Sequence, residues 1–261
     1  MTFTTEQFRL DGKVAIVTGA GGRKNNIGRA YSLGFANAGA AVVAADLNLE
    51  GAQAVAEEIR AAGGKAIAVR VDISSPESVT QMAAAATEAF GGVDILANNA
   101  ALMVDFAREP ASRISLADWN HVVAVNVTGA LLCSQAVIPS MRARGGGKIV
   151  NQLSAGAFPA ISLYGVTKLA LYGVTTALAL ELGPDKINVN AIAPGNTMSD
   201  AGYSLTPDGS NFVKTMEARV AMRLRGQPDE LVGAMMLLCS PAGDWITGQV
   251  IHVDGGWVLR P

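Results

Sequence analysis

Tyr164 and Lys168 stand four residues apart in the segment Tyr164-Gly165-Val166-Thr167-Lys168, a spacing that puts both side chains on one face of a helix. A tyrosine with its ordinary pKa near 10 is a poor base at neutral pH. A cation about 4 Å away, at an effective dielectric near 20, stabilises the phenolate by about 4 kcal/mol, or roughly three pK units. The pair predicts a phenol that exchanges protons near neutrality. Tyr172 repeats the Leu-Tyr-Gly context but has Thr176 four residues on, and is assigned to packing. Ser154, at the end of a strand, and Asn126, in a helix, read in isolation as a cap and a solvated polar residue.

A second cluster suits phosphate chemistry. Thr18-Gly19-Ala20-Gly21-Gly22-Arg23-Lys24-Asn25-Asn26-Ile27-Gly28 follows an apolar strand and opens a helix. In that context glycines let the backbone approach a pyrophosphate, and the helix start at Asn26, Ile27 and Gly28 presents free N–H groups to it. Asp46 closes the next strand, 18 residues after Gly28, where a carboxylate can accept from both adenosine ribose hydroxyls and repel a 2′-phosphate. This argues NAD over NADP, while Arg23 and Lys24 are cations that can sit near such a phosphate.

These groups need a scaffold, and the pattern supplies one. Apolar strands are predicted at 14–18, 41–45, 66–71, 95–97, 148–153, 188–193 and 249–253. Their near-continuous Val, Ile and Ala suit strands buried on both faces. Helices are predicted between them at 27–37, 49–62, 75–90, 116–143, 164–181 and 229–238. Alternation of this kind predicts an α/β fold, a single doubly wound Rossmann domain over residues 1–261, with a mostly parallel seven-stranded sheet and helices on both faces. Asn37-Ala38-Gly39 and Ala62-Gly63-Gly64 predict left-handed helix ends, and Ser75-Pro76-Glu77 a helix start. The stretch 196–216 is irregular, and loops that long in a compact domain are usually lids.

Composition narrows the function classes. The 261 residues are 50% apolar and 16% charged, with a formal charge of -2, so no basic surface is expected for nucleic acid or an anionic membrane. Two histidines, His121 and His252, and two cysteines, Cys133 and Cys239, argue against a metal site and for buried thiols in a reducing compartment. No secretory leader pattern is visible at the N-terminus, and a cytoplasmic protein is expected.

Taken with Asn126-Val127-Thr128-Gly129, Asn151-Gln152-Leu153-Ser154, Asn98-Asn99-Ala100, Pro194-Gly195-Asn196-Thr197, Thr247-Gly248-Gln249 and Asp254-Gly255-Gly256, the chain resembles the short-chain dehydrogenase/reductase family over residues 10–257. The resemblance implies that Ser154 holds the substrate oxygen and that Tyr164 exchanges a proton with it while hydride passes to or from nicotinamide C4. It implies two duties for Lys168, lowering the Tyr164 pKa and binding the nicotinamide ribose, and a proton-relay role for Asn126. Thr197, after Pro194 and Gly195, would bond the carboxamide. Asp72 and Ile73 would lie near the adenine, and Asn98 and Ala100 near the ribose, with Gly19 and Gly22 in the phosphate loop. A homotetramer is implied as well.

The sequence departs from the family pattern twice. The Gly-rich loop is about three residues longer than the commonest form, with Asn26 where a second glycine would stand, and this resembles the enoyl reductase branch. The Tyr-x3-Lys spacing instead favours chemistry at a carbonyl. Ser154 also precedes Tyr164 by only ten residues, which demands a tight loop; Ser162 competes for the oxygen-binding role but reads better as a helix cap. Ala101, Leu102, Met103, Phe158, Met198, Tyr203, Leu205 and Phe212 predict a hydrophobic wall for an alcohol or ketone. The expected activity is hydride transfer between NAD(H) and a hydrophobic secondary alcohol or ketone. The alternatives are reduction of a carbon–carbon double bond and a non-catalytic NAD-binding sensor.

Overall fold

The computed structural model describes residues 4–22, 25–103, 111–158, 160, 162–206, 209 and 211–259, without the side chains of Ala111, Phe212 and Met216. Arg23, Lys24 and the Phe212 side chain, considered above for the phosphate and the substrate wall, lie outside the described residues.

Seven strands, β1 (Val14–Thr18), β2 (Ala41–Asp46), β3 (Lys65–Arg70), β4 (Ile95–Asn98), β5 (Gly147–Gln152), β6 (Ile187–Pro194) and β7 (Val250–Val253), form one sheet in the order β3-β2-β1-β4-β5-β6-β7. Every pairing is parallel. β1 and β5 alternate no polar face, because helices cover both sides of the sheet. Tyr31 and Phe35 pack one side and Met82, Cys133 and Met141 the other, all fully buried. Strand order reverses between β1 and β4, which opens a crevice at the carboxyl ends of those strands.

The connecting helices are α1 (Ile27–Asn37), α2 (Leu49–Ala61), α3 (Pro76–Phe90), α4 (Leu116–Val123), α5 (Ala130–Ala143), α6 (Leu163–Leu182), α7 (Asp200–Leu205), α8 (Asn211–Arg219) and α9 (Val232–Cys239). Local chemistry sets their ends. Ser75 accepts from Ser78 N at 3.3 Å ahead of Pro76, and Gly39 and Gly63 take φ of +102° and +87° after α1 and α2.

Three expectations need correction. The span 116–143 is helical throughout but changes to π-helical winding over Ala124–Gly129, where Gly129 lies against Ile73. The span 229–238 begins as a 3-10 turn, Pro228–Leu231, before α9. The stretch 196–216 is not irregular: α7 and α8 occupy much of it. Ser199 caps α7 by accepting from Gly202 N at 3.1 Å, and this cap outweighs the Ser- and Gly-rich composition that hides the helix.

Candidate active site

Ser154, Tyr164 and Lys168 converge at the carboxyl end of β5. The Ser154 hydroxyl accepts from Gly156 N at 3.1 Å, starting the turn Ala155–Ala157 that shortens the path to α6. Its hydroxyl also hydrogen-bonds the Tyr164 hydroxyl. Ser162 accepts from Gly165 N at 3.2 Å and caps α6, so the helix start consumes that hydroxyl.

Lys168, one turn on, is 1% exposed. Its Nζ donates to the Gln152 carbonyl at 2.7 Å and stands 5.5 Å from the Tyr164 ring centroid. The expected lowering of the phenol pKa is not what this environment gives. Burial raises the Tyr164 pKa above its ordinary value, with the Ser154 hydrogen bond opposing it, and burial pushes the Lys168 ammonium down to about 7. Burial penalises the charged form of each group, fully for the enclosed Lys168 and in part for Tyr164, and the ammonium donates to the Gln152 carbonyl.

Asn126 sits on the π-helical turn, 1% exposed. Its Nδ2 donates to the Leu102 carbonyl at 2.9 Å and to Thr167 Oγ1 at 3.1 Å, and its Oδ1 accepts from Leu102 N at 2.8 Å. It ties the segment after β4 to α6 beside Lys168, and the π-helical winding turns its side chain to do so.

The Gly-rich loop forms the other wall. Gly19 takes φ of +70°, and a Cβ at Gly28 would lie 2.3 Å from Gly19 O, so α1 can approach β1 only through glycine there. A Cβ at Gly22 would meet nothing within 4 Å, which leaves open space at that residue. Asn26 accepts from Arg29 N at 2.7 Å as the N-cap of α1 and lines, with Gly21, Gly22, Arg29 and Gly51, a cavity of about 460 Å³. The Asp46 carboxylate accepts from Gly21 N and Asn48 N, each at 2.8 Å, and burial raises its pKa.

The remaining predicted contacts divide. Asp72 lies after β3, and the Ser74 hydroxyl and amide bonded to its Oδ1 lower its pKa. The Asn98 side chain donates to Ala130 O, Ser134 Oγ and Asn151 Oδ1 within 3.1 Å and so joins β4 to α5 and β5. Ile73 is buried against Gly129. Ala100 N donates to Thr18 Oγ1 at 3.2 Å. Thr197, after Pro194 and Gly195, donates to Gly195 O at 3.3 Å and bridges to Gly226. In the expected wall, Phe158 meets Tyr172 edge-on at 6.1 Å, while Tyr203 lies under the Arg225 guanidinium at 4.9 Å.

Sequence reasoning missed Gln152 and Tyr31, whereas Asn99 stood inside the predicted Asn98–Ala100 segment. Gln152 takes Lys168 on its carbonyl and the Tyr31 hydroxyl on Oε1 at 2.8 Å. Asn99 Nδ2 donates to Thr18 O and Gly19 O and fixes the loop. The polar pair Asn151-Gln152 ending an otherwise apolar buried strand was the available signal.

The chain matches the family described as enoyl-(acyl carrier protein) reductase over residues 21–258. It is 44% identical to an uncharacterized oxidoreductase of Mycobacterium tuberculosis, covering 96% of this chain and 99% of that one. It is 37% identical to the 7alpha-hydroxysteroid dehydrogenase of Escherichia coli, over 98% of both chains. A 7 alpha-hydroxysteroid dehydrogenase solved with NADH and 7-oxo glycochenodeoxycholic acid superposes with a TM-score of 0.90 at 35% identity, covering 99% of each chain. A gluconate 5-dehydrogenase of Burkholderia cenocepacia solved with NADP and tartrate gives 0.89 at 34% identity over 97% of each. With the Tyr-x3-Lys pair beside a glycine-lined crevice, these matches establish that the chain belongs to the short-chain dehydrogenase/reductase family.

Proposed function

We propose that the protein is an NAD(H)-dependent oxidoreductase acting on a hydrophobic secondary alcohol or its ketone. The observation that carries this reading is the convergence of Ser154, Tyr164 and Lys168 at the strand end facing the glycine loop. The cradle suits a dinucleotide: Gly19 and Gly28 bring the backbone close, Gly22 leaves space, and the α1 N-cap Asn26 lines the same cavity as Gly22. A bound nicotinamide dinucleotide supplies the hydride donor or acceptor. Gly19, Gly22, Asn26, Ile27 and Gly28 would hold its phosphates, Asp46 and Asp72 its adenosine end, and Thr197 with Pro194 and Gly195 its carboxamide end.

The chain's own residues handle the proton. Ser154 holds the substrate oxygen against the Tyr164 hydroxyl, to which it is already bonded. With the phenol pKa raised, Tyr164 keeps its proton at neutral pH and is set to donate it to a ketone oxygen; oxidation of an alcohol requires Tyr164 to lose it first. Lys168, whose ammonium burial pushes down to about 7, lies 5.5 Å from the Tyr164 ring and gives up its own proton far more readily than the phenol does, and Asn126 holds α6 in place beside it through Thr167. Asp46 favours NAD over NADP, because its carboxylate would meet a 2′-phosphate.

A second reading rests on the family description and the long glycine loop: reduction of an activated double bond. A panel of secondary alcohols, ketones and enoyl thioesters, followed by reduced-nicotinamide absorbance with NAD and NADP, separates the two. Turnover of alcohols and ketones alone is expected, and turnover of enoyl thioesters alone would replace the first reading. Tyr164→Phe serves as the control and loses at least about a hundredfold in rate.

Assembly follows from the helix surfaces. Leu180 on α6 is 84% exposed and Leu116 on α4 is 74% exposed, so these apolar faces support a homotetramer, which a sedimentation or size measurement tests.

A further inference from the structure

A cavity of about 610 Å³ lies at the other end of the sheet from Ser154, Tyr164 and Lys168, at the amino ends of β4, β5 and β6, where Ile95, Gly147 and Ile187 line it. Its size suits a small organic molecule. β5 begins at Gly147 in this cavity and ends at Gln152, whose carbonyl holds Lys168; the separation is five strand rises, about 17 Å. The two sites are therefore distinct. A Cβ at Gly145 or at Gly183, both in the lining, would meet nothing within 4 Å, so open space adjoins each.

The lining combines apolar surface with an excess of positive charge. Leu10, Ile95 and Ile187 are each 1% exposed, while the Trp245 indole is 99% exposed and offers an uncovered flat face. Lys13, Arg144, Lys148 and Lys186 stand against two carboxylates, Asp94 and Asp244, although the whole chain has a formal charge of -2. Asp94 is shared by Lys13 at 3.5 Å and Arg144 at 2.8 Å, and Asp244 takes Lys148 at 2.7 Å. The Lys186 ammonium has no hydrogen-bond or ion-pair partner among the described residues.

Ser240 adds a donor. It lines the cavity fully buried, and its Oγ has no hydrogen-bond partner among the described residues. A buried hydroxyl left unbonded costs free energy in the folded state, and an acceptor entering the cavity would remove that cost. An oxygen anion is such an acceptor, and the charge excess attracts it.

We propose that this cavity binds a small organic anion, a carboxylate carried on a flat apolar body, independently of the catalytic crevice. The carboxylate accepts from Ser240 Oγ and answers the uncompensated charge of Lys186. The apolar body covers the aliphatic lining and lies against the Trp245 indole.

The test titrates 2-naphthoate into the full-length protein by calorimetry. One site per chain is expected, and neutral 2-naphthamide should bind at least about tenfold more weakly. Lys186→Glu, a change at an exposed side chain, should weaken 2-naphthoate at least about tenfold, and Trp245→Ala at least about threefold. Ser240→Ala separates binding from folding. It removes a hydroxyl that the fold leaves unbonded, so the melting temperature should hold or rise while affinity falls at least about threefold. Saturating NADH should leave the affinity within about twofold of its value without it. Equal affinity in the natural protein, Lys186→Glu and Ser240→Ala overturns the proposal, as does displacement of 2-naphthoate by NADH or the absence of any bound 2-naphthoate. Failure of NADH to bind would count against the dinucleotide reading instead, and the three variants then decide this proposal alone.

Discussion

Lys168 donates its ammonium proton to the Gln152 carbonyl at 2.7 Å while Gln152 Oε1 holds the Tyr31 hydroxyl at 2.8 Å. One residue at the end of β5 therefore joins α1 to α6 through the floor of the site. Among the described residues the carbonyl is the hydrogen-bond acceptor given to a charge that is almost wholly enclosed, and burial lowers the ammonium pKa to about 7 from 10.5.

That depression makes Lys168 a cost to folding. The unfolded chain binds the proton up to its ordinary pKa and the folded chain releases it near 7, so the penalty is full below about pH 7, shrinks as pH rises, and is gone above 10.5. Lys168→Met should raise the unfolding free energy at pH 7 by about 2–4 kcal/mol, after allowing for the lost hydrogen bond, while removing activity. Urea denaturation at pH 7 and pH 10 checks it: the gain must be smaller at pH 10.

The raised Tyr164 pKa fixes the sign of the pH dependence. Alcohol oxidation needs the phenolate, so kcat should climb across the alkaline range, and ketone reduction needs the phenol, so its kcat should hold to high pH and then fall. Ser154→Ala removes the hydrogen bond that opposes the rise, and should move both profiles to higher pH. Initial rates in both directions between pH 6 and about 11 measure the shift; profiles of the variant lying at lower pH would contradict the assignment of Ser154.

How much of this was legible in the sequence depends on what each residue answers to. β1 and α1 begin and end where the pattern predicts, because a continuous apolar strand, the cap at Asn26 and the left-handed Gly39 act locally. The Tyr164–Lys168 pair was legible because helical spacing alone joins them. What sequence could not carry was direction: Asn98 and Asn99 are adjacent and alike, yet one faces α5 and the other the glycine loop. That choice is made by strand pleat and by Ser134 and Thr18, which are distant in sequence. The same holds for α7, whose cap is local but whose partners, Asn25 and Arg225, are not.

Asn126→Ala should cost about 2–4 kcal/mol, since Leu102 N, Leu102 O and Thr167 Oγ1 all lose a partner inside the fold. The damage should spread to catalysis through α6, lowering kcat more than it raises the cofactor Kd. Thermal unfolding and steady-state rates on the same preparation test this, and an Asn126→Ala protein of unchanged stability would show that these hydrogen bonds are replaced by water.

Asp46 is asked to do two things at once, and variants can separate them. Its carboxylate accepts Gly21 N and Asn48 N at 2.8 Å each, which anchors the glycine loop to the end of β2, and its charge stands where a 2′-phosphate would come. Asp46→Asn keeps an acceptor for one of those amides but abolishes the charge; Asp46→Ala abolishes both. The ratio of kcat/KM for NAD to that for NADP should therefore fall at least about tenfold in both variants, as expected for the loss of about 1.4 kcal/mol of discrimination. Stability should fall further in Asp46→Ala, by about 1–3 kcal/mol, because two loop amides are left without their acceptor. A cofactor ratio that stays at its natural value in both variants would move the selectivity away from this carboxylate and toward the cations of the loop.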